Sequence, residues 1–376
     1  MDGKIKIKIE NLLEHYSNIY ITENSFVKLK KYGLLGGNIG IPIFLFEYSI
    51  YKNDYKLFDK ALSYSNIIKR NYLRIKDLSY ADGVIGNIYY FEYIKKKFGL
   101  QIFDTSQDLN FILNNYNLFN YYDFLNGGYL GIFHVMNEFK IKKNKKSYHN
   151  LFTNIFKEPG DYIKADNSNR IDFSISHGII SQILILDKTM EYLNLNGFEN
   201  VFNKILTFFE NNIDENQGLN VFPDFKIGND NFYVNNKLSW CYGDISTSYS
   251  MYKLAVKYSK DYNFYLNNLI RLSHVRDVKM FDSSIICHGI SGVILIFSKL
   301  FKETEIKCFE SSVIFWTDLL IEKHLKRGFL NARFSKNDKK YYINDYSFLE
   351  GSSGILLVLL SLIKKESTDW DKIILL

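Results

Sequence analysis

Two short stretches carry the residue types best suited to gripping a metal ion. Trp240-Cys241-Tyr242-Gly243 offers one thiol, and Ile286-Cys287-His288-Gly289-Ile290-Ser291-Gly292 offers a thiol followed directly by an imidazole. Cys thiolates and His nitrogens are the donors of zinc sites, and three protein donors with one position left open describe a catalytic rather than a structural centre. The two stretches lie too far apart in sequence for a local finger or ribbon, so the set works only where a fold makes them neighbours. Successive helical residues point ~100° apart. Cys287 and His288 can therefore share an ion only at a helix mouth, where the backbone bends. A helix N-terminus also favours thiolate over thiol. The competing reading is two buried core cysteines, a common fate of the residue. The equivalent placement of the two pairs, set out below, favours the metal.

A zinc ion held by two thiolates and an imidazole is a modest Lewis acid that prefers a soft incoming ligand. It suits a substrate thiol, which coordination ionises near neutral pH. A nearby acid such as His177 can then protonate the carbanion formed by thiolate attack. The chemistry implied is addition of a thiol to an activated alkene, or thiol alkylation. Hydrolysis by a metal-bound hydroxide is disfavoured, because thiolate ligands weaken the pull on water.

Other candidates stand beside further glycines. His177 precedes Gly178 as His288 precedes Gly289; the alternative is a His packed at a helix start. Asp123 precedes Gly127 and Gly128, where a capping role and a functional one are equally open. Tyr242 faces either the pocket or a neighbouring helix. Asp82, Asp244 and Glu350 read as caps, and Cys308, in polar helical sequence, reads as structural.

The elements that must position these residues emerge from a repeat. Gly, two residues, then Gly or Ser, then an apolar run occurs at Gly37, Gly83, Gly128, Gly178, Gly243, Gly289 and Gly351, spaced 46, 45, 50, 65, 46 and 62 residues apart. The apolar runs, such as Gly354-Ile355-Leu356-Leu357-Val358-Leu359-Leu360, suit helices covered on all sides. The segments between them, such as residues 54–71, alternate apolar and polar residues with helical period. Each repeat therefore supplies one buried and one half-exposed helix. An open solenoid would want a polar capping repeat at its end. The last repeat is among the most apolar, which favours closure into a double ring with the glycine steps along one rim. Residues 210–239 read as a long loop with short strands. Residues 326–346 read as a small hairpin with Lys336-Asn337-Asp338 at its tip. Insertions on one face of a repeat protein often mark the binding face. Nothing else suggests a second domain, so residues 1–376 are expected to form one.

Composition narrows the function further. The 376 residues include 47 Lys and Arg against 41 Asp and Glu, a formal charge of +6, well short of a nucleic-acid signature. Three cysteines describe no disulfide scaffold and fit a reducing cytoplasm. The first ten residues lack the apolar centre of a signal peptide. No apolar run approaches the ~20 residues of a bilayer span.

Taken together, Trp-Cys-Tyr-Gly at 240–243, Cys-His-Gly-Ile-Ser-Gly at 287–292, Ser-Phe-Leu-Glu-Gly-Ser-Ser-Gly at 347–354 and the sevenfold glycine step resemble the lanthionine synthetase C-like family, the lantibiotic cyclases. The resemblance implies an all-α fold, an α,α-toroid of seven inner and seven outer helices, with short β insertions and zinc at one end. It implies Cys241, Cys287 and His288 as ligands, and His177 and Asp123 as proton-transfer residues. Its Arg four residues before the first ligand Cys is Lys237 here, which keeps the charge but not a bidentate grip. It implies a dehydrated precursor peptide, leader and core, as substrate. Cysteine thiolates of that peptide add to dehydroalanine or dehydrobutyrine, forming the carbon–sulfur bonds of lanthionine or methyllanthionine rings. It implies a dehydratase and a transporter as companions in a biosynthetic complex, and a cytoplasmic enzyme that reaches a membrane only through partners. Two alternatives stay open: addition of a small thiol such as glutathione to dehydrated residues, and a non-catalytic, zinc-stabilised peptide-binding scaffold.

Overall fold

The computed structural model describes residues 3–22, 31–72, 74–115, 123–156, 170–213, 218–227, 231–234, 237–334, 340–364 and 368–376. Each glycine step stands at the start of a helix. These helices are α2 (Gly40–Lys52), α4 (Val84–Phe98), α6 (Tyr129–Phe139), α8 (Ile179–Leu193), α10 (Asp244–Lys257), α12 (Ile290–Thr304) and α14 (Ser352–Ile363). Alternating with them are α1 (Gly3–Thr22), α3 (Tyr55–Tyr72), α5 (Ser106–Asn114), α7 (Lys145–Ile155), α9 (Phe198–Glu210), α11 (Asn263–Ser273) and α13 (Lys307–Arg327).

The two sets differ as their sequences do. α14 buries every residue from Ser352 to Ser361, and α12 every residue from Ile290 to Ser298. α3 instead buries Leu57, Ala61, Tyr64, Ser65, Ile68 and Tyr72, a single stripe at intervals of three and four. Several inner helices stop at a left-handed residue, Asn53 after α2, Gly99 after α4 and Asn194 after α8. That conformation returns the next amides to the last helical carbonyls. No helix among the described residues is long and apolar enough to cross a membrane.

Packing divides the chain into two units, residues 1–72, 238–240 and 263–376, and residues 73–237 and 241–262. In the first, α12 packs on α14 and α14 on α2, while α1 lies against α2, α3, α13 and α14. The last inner helix therefore meets the first, as an apolar final repeat requires. This seam is tight: a Cβ on Gly40 would fall on Ser353 Oγ and 2.9 Å from Phe348 Cα. Across it, Leu349 N donates to Leu35 O at 2.9 Å, and Lys364 Nζ donates to the buried Glu47 Oε2 at 3.0 Å. In the second unit α4, α6, α8 and α10 pack in succession.

The strands form two small sheets. β1 (Arg170–Asp172), β2 (Phe225–Ile227) and β3 (Asn231–Tyr233) pair antiparallel in that order, with Asp172 opposite Phe225 and Phe225 opposite Tyr233. β4 (Leu330–Phe334) and β5 (Lys340–Asn344) form the expected hairpin; its tip, Lys336-Asn337-Asp338, lies outside the described residues. β1 was not legible beforehand, since a strand of 3 residues is too short to show alternation.

The seam yields a test. Removing one member of a buried ion pair takes the counter-charge from the other, a loss of about 3–5 kcal/mol. Lys364→Met should lower the denaturation midpoint accordingly, with the m-value unchanged. The double variant Glu47→Gln, Lys364→Met should recover much of the loss, because the buried carboxylate charge goes with its counter-charge.

Candidate metal centre

Trp240 is fully buried, and its indole Nε1 donates to the Ile374 carbonyl at 3.2 Å. It lies against the start of α12: a Cβ on Gly292 would stand 3.2 Å from Trp240 Cβ and directly on the Ile286 carbonyl oxygen. Only a residue without a side chain permits that approach. Cys241 follows Trp240, and Cys287 follows Ile286. Cys287 N donates to Leu349 O at 3.2 Å, and Ser176 Oγ donates to Cys241 O at 3.3 Å. The two sulfurs and a ring nitrogen of His288 all lie within 4.8 Å of one another. Cys241 is buried, Cys287 half-buried and His288 exposed, so the donors grade from interior to surface.

This donor set suits zinc. With Zn–S near 2.3 Å and Zn–N near 2.0–2.1 Å, tetrahedral ligand atoms sit about 3.5–3.8 Å apart. The observed separations need only a small contraction to reach that. Two thiolates balance the charge of a divalent ion, and soft sulfur donors select zinc over magnesium or calcium. Among the described residues the group has three members, one fewer than the four protein ligands of a closed structural zinc site.

Asp123 and His177 form a dyad in the second unit. His177 Nδ1 donates to Asp123 Oδ2 at 2.8 Å. The carboxylate can only accept, so Nδ1 carries the hydrogen and Nε2 is left to gain and lose a proton. Asp123 Oδ1 meanwhile accepts from Leu125 N and Asn126 N, both at 2.7 Å. Asp123 thus gives one oxygen to its own turn and the other to His177, while α6 has Gly128 as its N-cap. Burial would lower the His177 pKa; the hydrogen bond and charge of Asp123, with Asp172 and Cys241 behind them, outweigh burial and raise it above the ordinary value.

Tyr242 stands with its ring centroid 6.5 Å from that of His177. Its hydroxyl donates to Asp172 Oδ2 at 2.8 Å and accepts from Arg170 Nη2 at 3.2 Å. Burial first, then the Asp172 carboxylate, hold the phenol well above its ordinary pKa, so it stays neutral. Lys237 is exposed. Its backbone rather than its side chain enters the packing, for its carbonyl lies against Gly243 and accepts from Asn220 Nδ2 at 3.4 Å. Asp244, read from sequence as a cap, instead accepts from Val221 N and Phe222 N at 2.7 and 3.0 Å, and so ties down the loop that leads to β2.

The profile of the family described as "Lanthionine synthetase C-like protein" matches residues 28–375. The chain belongs to the lanthionine synthetase C-like family. Among solved structures, nisin cyclase superposes with a TM-score of 0.72 at 17% sequence identity, over 99% of this chain and 98% of that one. A likeness at that identity speaks to the fold, which is the all-α toroid expected from the repeats. No curated protein matches the chain in sequence.

Within this lanthionine synthetase C-like chain, sequence reasoning passed over Arg170 and Asp172. A signal for Asp172 was present. Asp-x-Ser occupies the same place before the glycine in Asp77-Leu78-Ser79, Asp172-Phe173-Ser174 and Asp345-Tyr346-Ser347, six residues ahead of Gly83, Gly178 and Gly351. Arg170 had none, because it lies outside the repeating pattern and is placed by β1.

Two measurements check this geometry. Gly292→Ala must force Trp240 and Ile286 apart; zinc affinity should fall by at least about 10-fold, the scale of lost support around a metal site, as read by competition with a chromophoric chelator. Asp123→Asn removes the charge that raises His177 most and leaves only Asp172 and Cys241 to oppose burial. An imidazolium acting as acid is lost as pH rises through its pKa, so the alkaline limb of the kcat/KM profile should move to lower pH in the variant.

Proposed function

We propose that this chain is a zinc-dependent peptide cyclase. It adds cysteine thiols of a dehydrated precursor peptide to dehydroalanine or dehydrobutyrine, giving lanthionine or methyllanthionine rings. The observation that carries the reading is the convergence of Cys241, Cys287 and His288, in a member of the lanthionine synthetase C-like family. Cys241, Cys287 and His288 would hold zinc, which supplies, when bound, the Lewis acidity that ionises a substrate thiol at neutral pH.

The chain's own residues account for the remaining work. As the substrate sulfur bonds to the alkene β-carbon, the π electrons move to the α-carbon and the adjoining carbonyl. His177 Nε2 delivers a proton to that α-carbon, so S–H and C=C become S–C and C–H with no net change of mass. Asp123 holds the imidazolium formed when His177 is recharged and fixes the ring's orientation. Lys237 is assigned to the negative charge developing on the carbonyl oxygen. Tyr242 stays neutral at the edge of the site. The 376 residues act as one domain of seven helix pairs, working in the cytoplasm on a leader-bearing precursor supplied by a dehydratase and passed to a transporter.

Because ring closure conserves mass, the assay must count thiols. A dehydrated peptide carrying cysteine should lose its reactivity toward a thiol alkylating agent on incubation with the protein, as read by mass spectrometry. Cys287→Ala should lose bound zinc and ring formation together. Rings formed at the wild-type rate by that variant would overturn the reading. A mass gain equal to added glutathione, in a mixture containing both acceptors, would redirect it to a small-thiol transferase.

A further inference from the structure

The chain's positive charge is not spread evenly. Residues 92–104 and 138–146 hold eight Lys against three acids, Glu92, Asp104 and Glu138. That excess of five is nearly the whole formal charge of +6. The fold joins the two segments at the ends of α4 and α6. Lys96 Nζ donates to the carbonyl and to Oε1 of Glu138, both at 3.0 Å, and lies 5.6 Å from the centre of the Phe139 ring. Residues 142–144 and α7 both pack on α5. Ser106 first, then Lys143 and Lys95, one from each segment, hold the Asp104 carboxyl below its ordinary pKa. Lys95, Lys96, Lys140, Lys142, Lys143 and Lys146 are exposed. The 11 residues of α6, about 16 Å of helix, set this surface apart from Asp123 at the other end.

Local structure does not account for these lysines. Cations suit the last turn of a helix, which covers Lys95, Lys96 and Lys97 in α4. The same rule disfavours Lys142, Lys143, Lys145 and Lys146. They crowd the start of α7, whose first turn holds no acid. Their charges repel one another and the positive end of the helix, a cost that an anionic partner would relieve. We infer that this surface docks on the anionic headgroups of a lipid bilayer. All eight cations are Lys and none is Arg. Protein interfaces favour Arg and aromatic side chains and are depleted in Lys, and no large apolar side chain in the two segments is exposed. Lysine is a compact, strongly hydrated point charge. It suits adsorption to a diffuse layer of headgroups, where clusters of roughly 4–8 such residues hold acidic lipid. Docked by this end, the protein keeps the Asp123–His177 dyad away from the bilayer. It then reaches a membrane by its own surface and not through partners alone.

The test is flotation of the intact protein with vesicles at about 0.1 M salt, where the screening length is about 10 Å. Vesicles of phosphatidylglycerol and phosphatidylcholine in equal parts should carry the wild type with them. Vesicles of phosphatidylcholine alone should not. Each lysine at such a surface is worth about 5-fold in partitioning, so Lys142→Gln, Lys143→Gln should bind about 25-fold more weakly. Lys142→Glu, Lys143→Glu should lose more, yet melt no lower than the wild type, because it places acids at a helix N-terminus. The neutral pair carries the test if the reversed pair fails to fold. Lys56 and Lys69 are exposed on α3. Lys56→Glu, Lys69→Glu makes the same change in net charge outside the two segments and should lose no more than about 3-fold. Equal losses in the two reversed variants would reduce the effect to net charge and overturn the inference. A wild type that floats with neither kind of vesicle, yet is retained on immobilised polyglutamate, would overturn it in favour of an acidic protein partner.

Discussion

The structure depends on one close approach, repeated around the chain. Six residues before a step glycine, a backbone carbonyl occupies the space a side chain would need: Asp77 against Gly83, Asp172 against Gly178, Lys237 against Gly243, Ser283 against Gly289 and Asp345 against Gly351. The loop between is folded so tightly over the helix start that its positions are interchangeable from repeat to repeat. The position two before the glycine carries Ser176, Cys241 and Cys287 in successive repeats, and the position one before carries His177, Tyr242 and His288. One backbone device thus delivers a hydroxyl, two thiols, two imidazoles and a phenol to corresponding places. The chemistry is written in which side chain each copy bears.

Around that device the electrostatics are shared out with economy. Asp123 and Asp172 each give one oxygen to their own loop and the other to a neighbour. The bond that shapes the backbone and the bond that orients a neighbouring ring therefore belong to the same carboxylate. Neither acid can move without loosening its turn, so its contact with the ring is held with the stiffness of local structure. At Asp123 the turn and the contact with His177 are made by one carboxylate.

Much of this was legible in the sequence because it repeats. The glycine steps, the apolar helices that follow them and the matching places of Cys241 and Cys287 all show up as spacing, and spacing survives translation into three dimensions when every unit folds alike. What could not be read was whatever breaks the repeat. Arg170 owes its place to a strand of three residues paired with an insertion some fifty residues downstream, a contact with no periodic trace. Lys237 was singled out for its charge, yet it is its carbonyl that the fold uses. Asp244 looked like a helix cap because acids often are, whereas glycine already held that position and the carboxylate was left to catch two amides of a distant loop.

The bond from Trp240 to the carbonyl of Ile374 spans 134 residues of chain, and Cys241 hangs from that anchored indole. During synthesis the sulfur at 241 leaves the ribosome long before the residues that fasten its neighbour. At about 5–20 residues per second the delay is on the order of ten seconds. Cys287 follows within that interval, so both thiols are made before the bond that anchors Trp240 can form. The bond that anchors Trp240, and with it the backbone at Cys241, therefore forms only after residue 374 has been made, well behind both thiols.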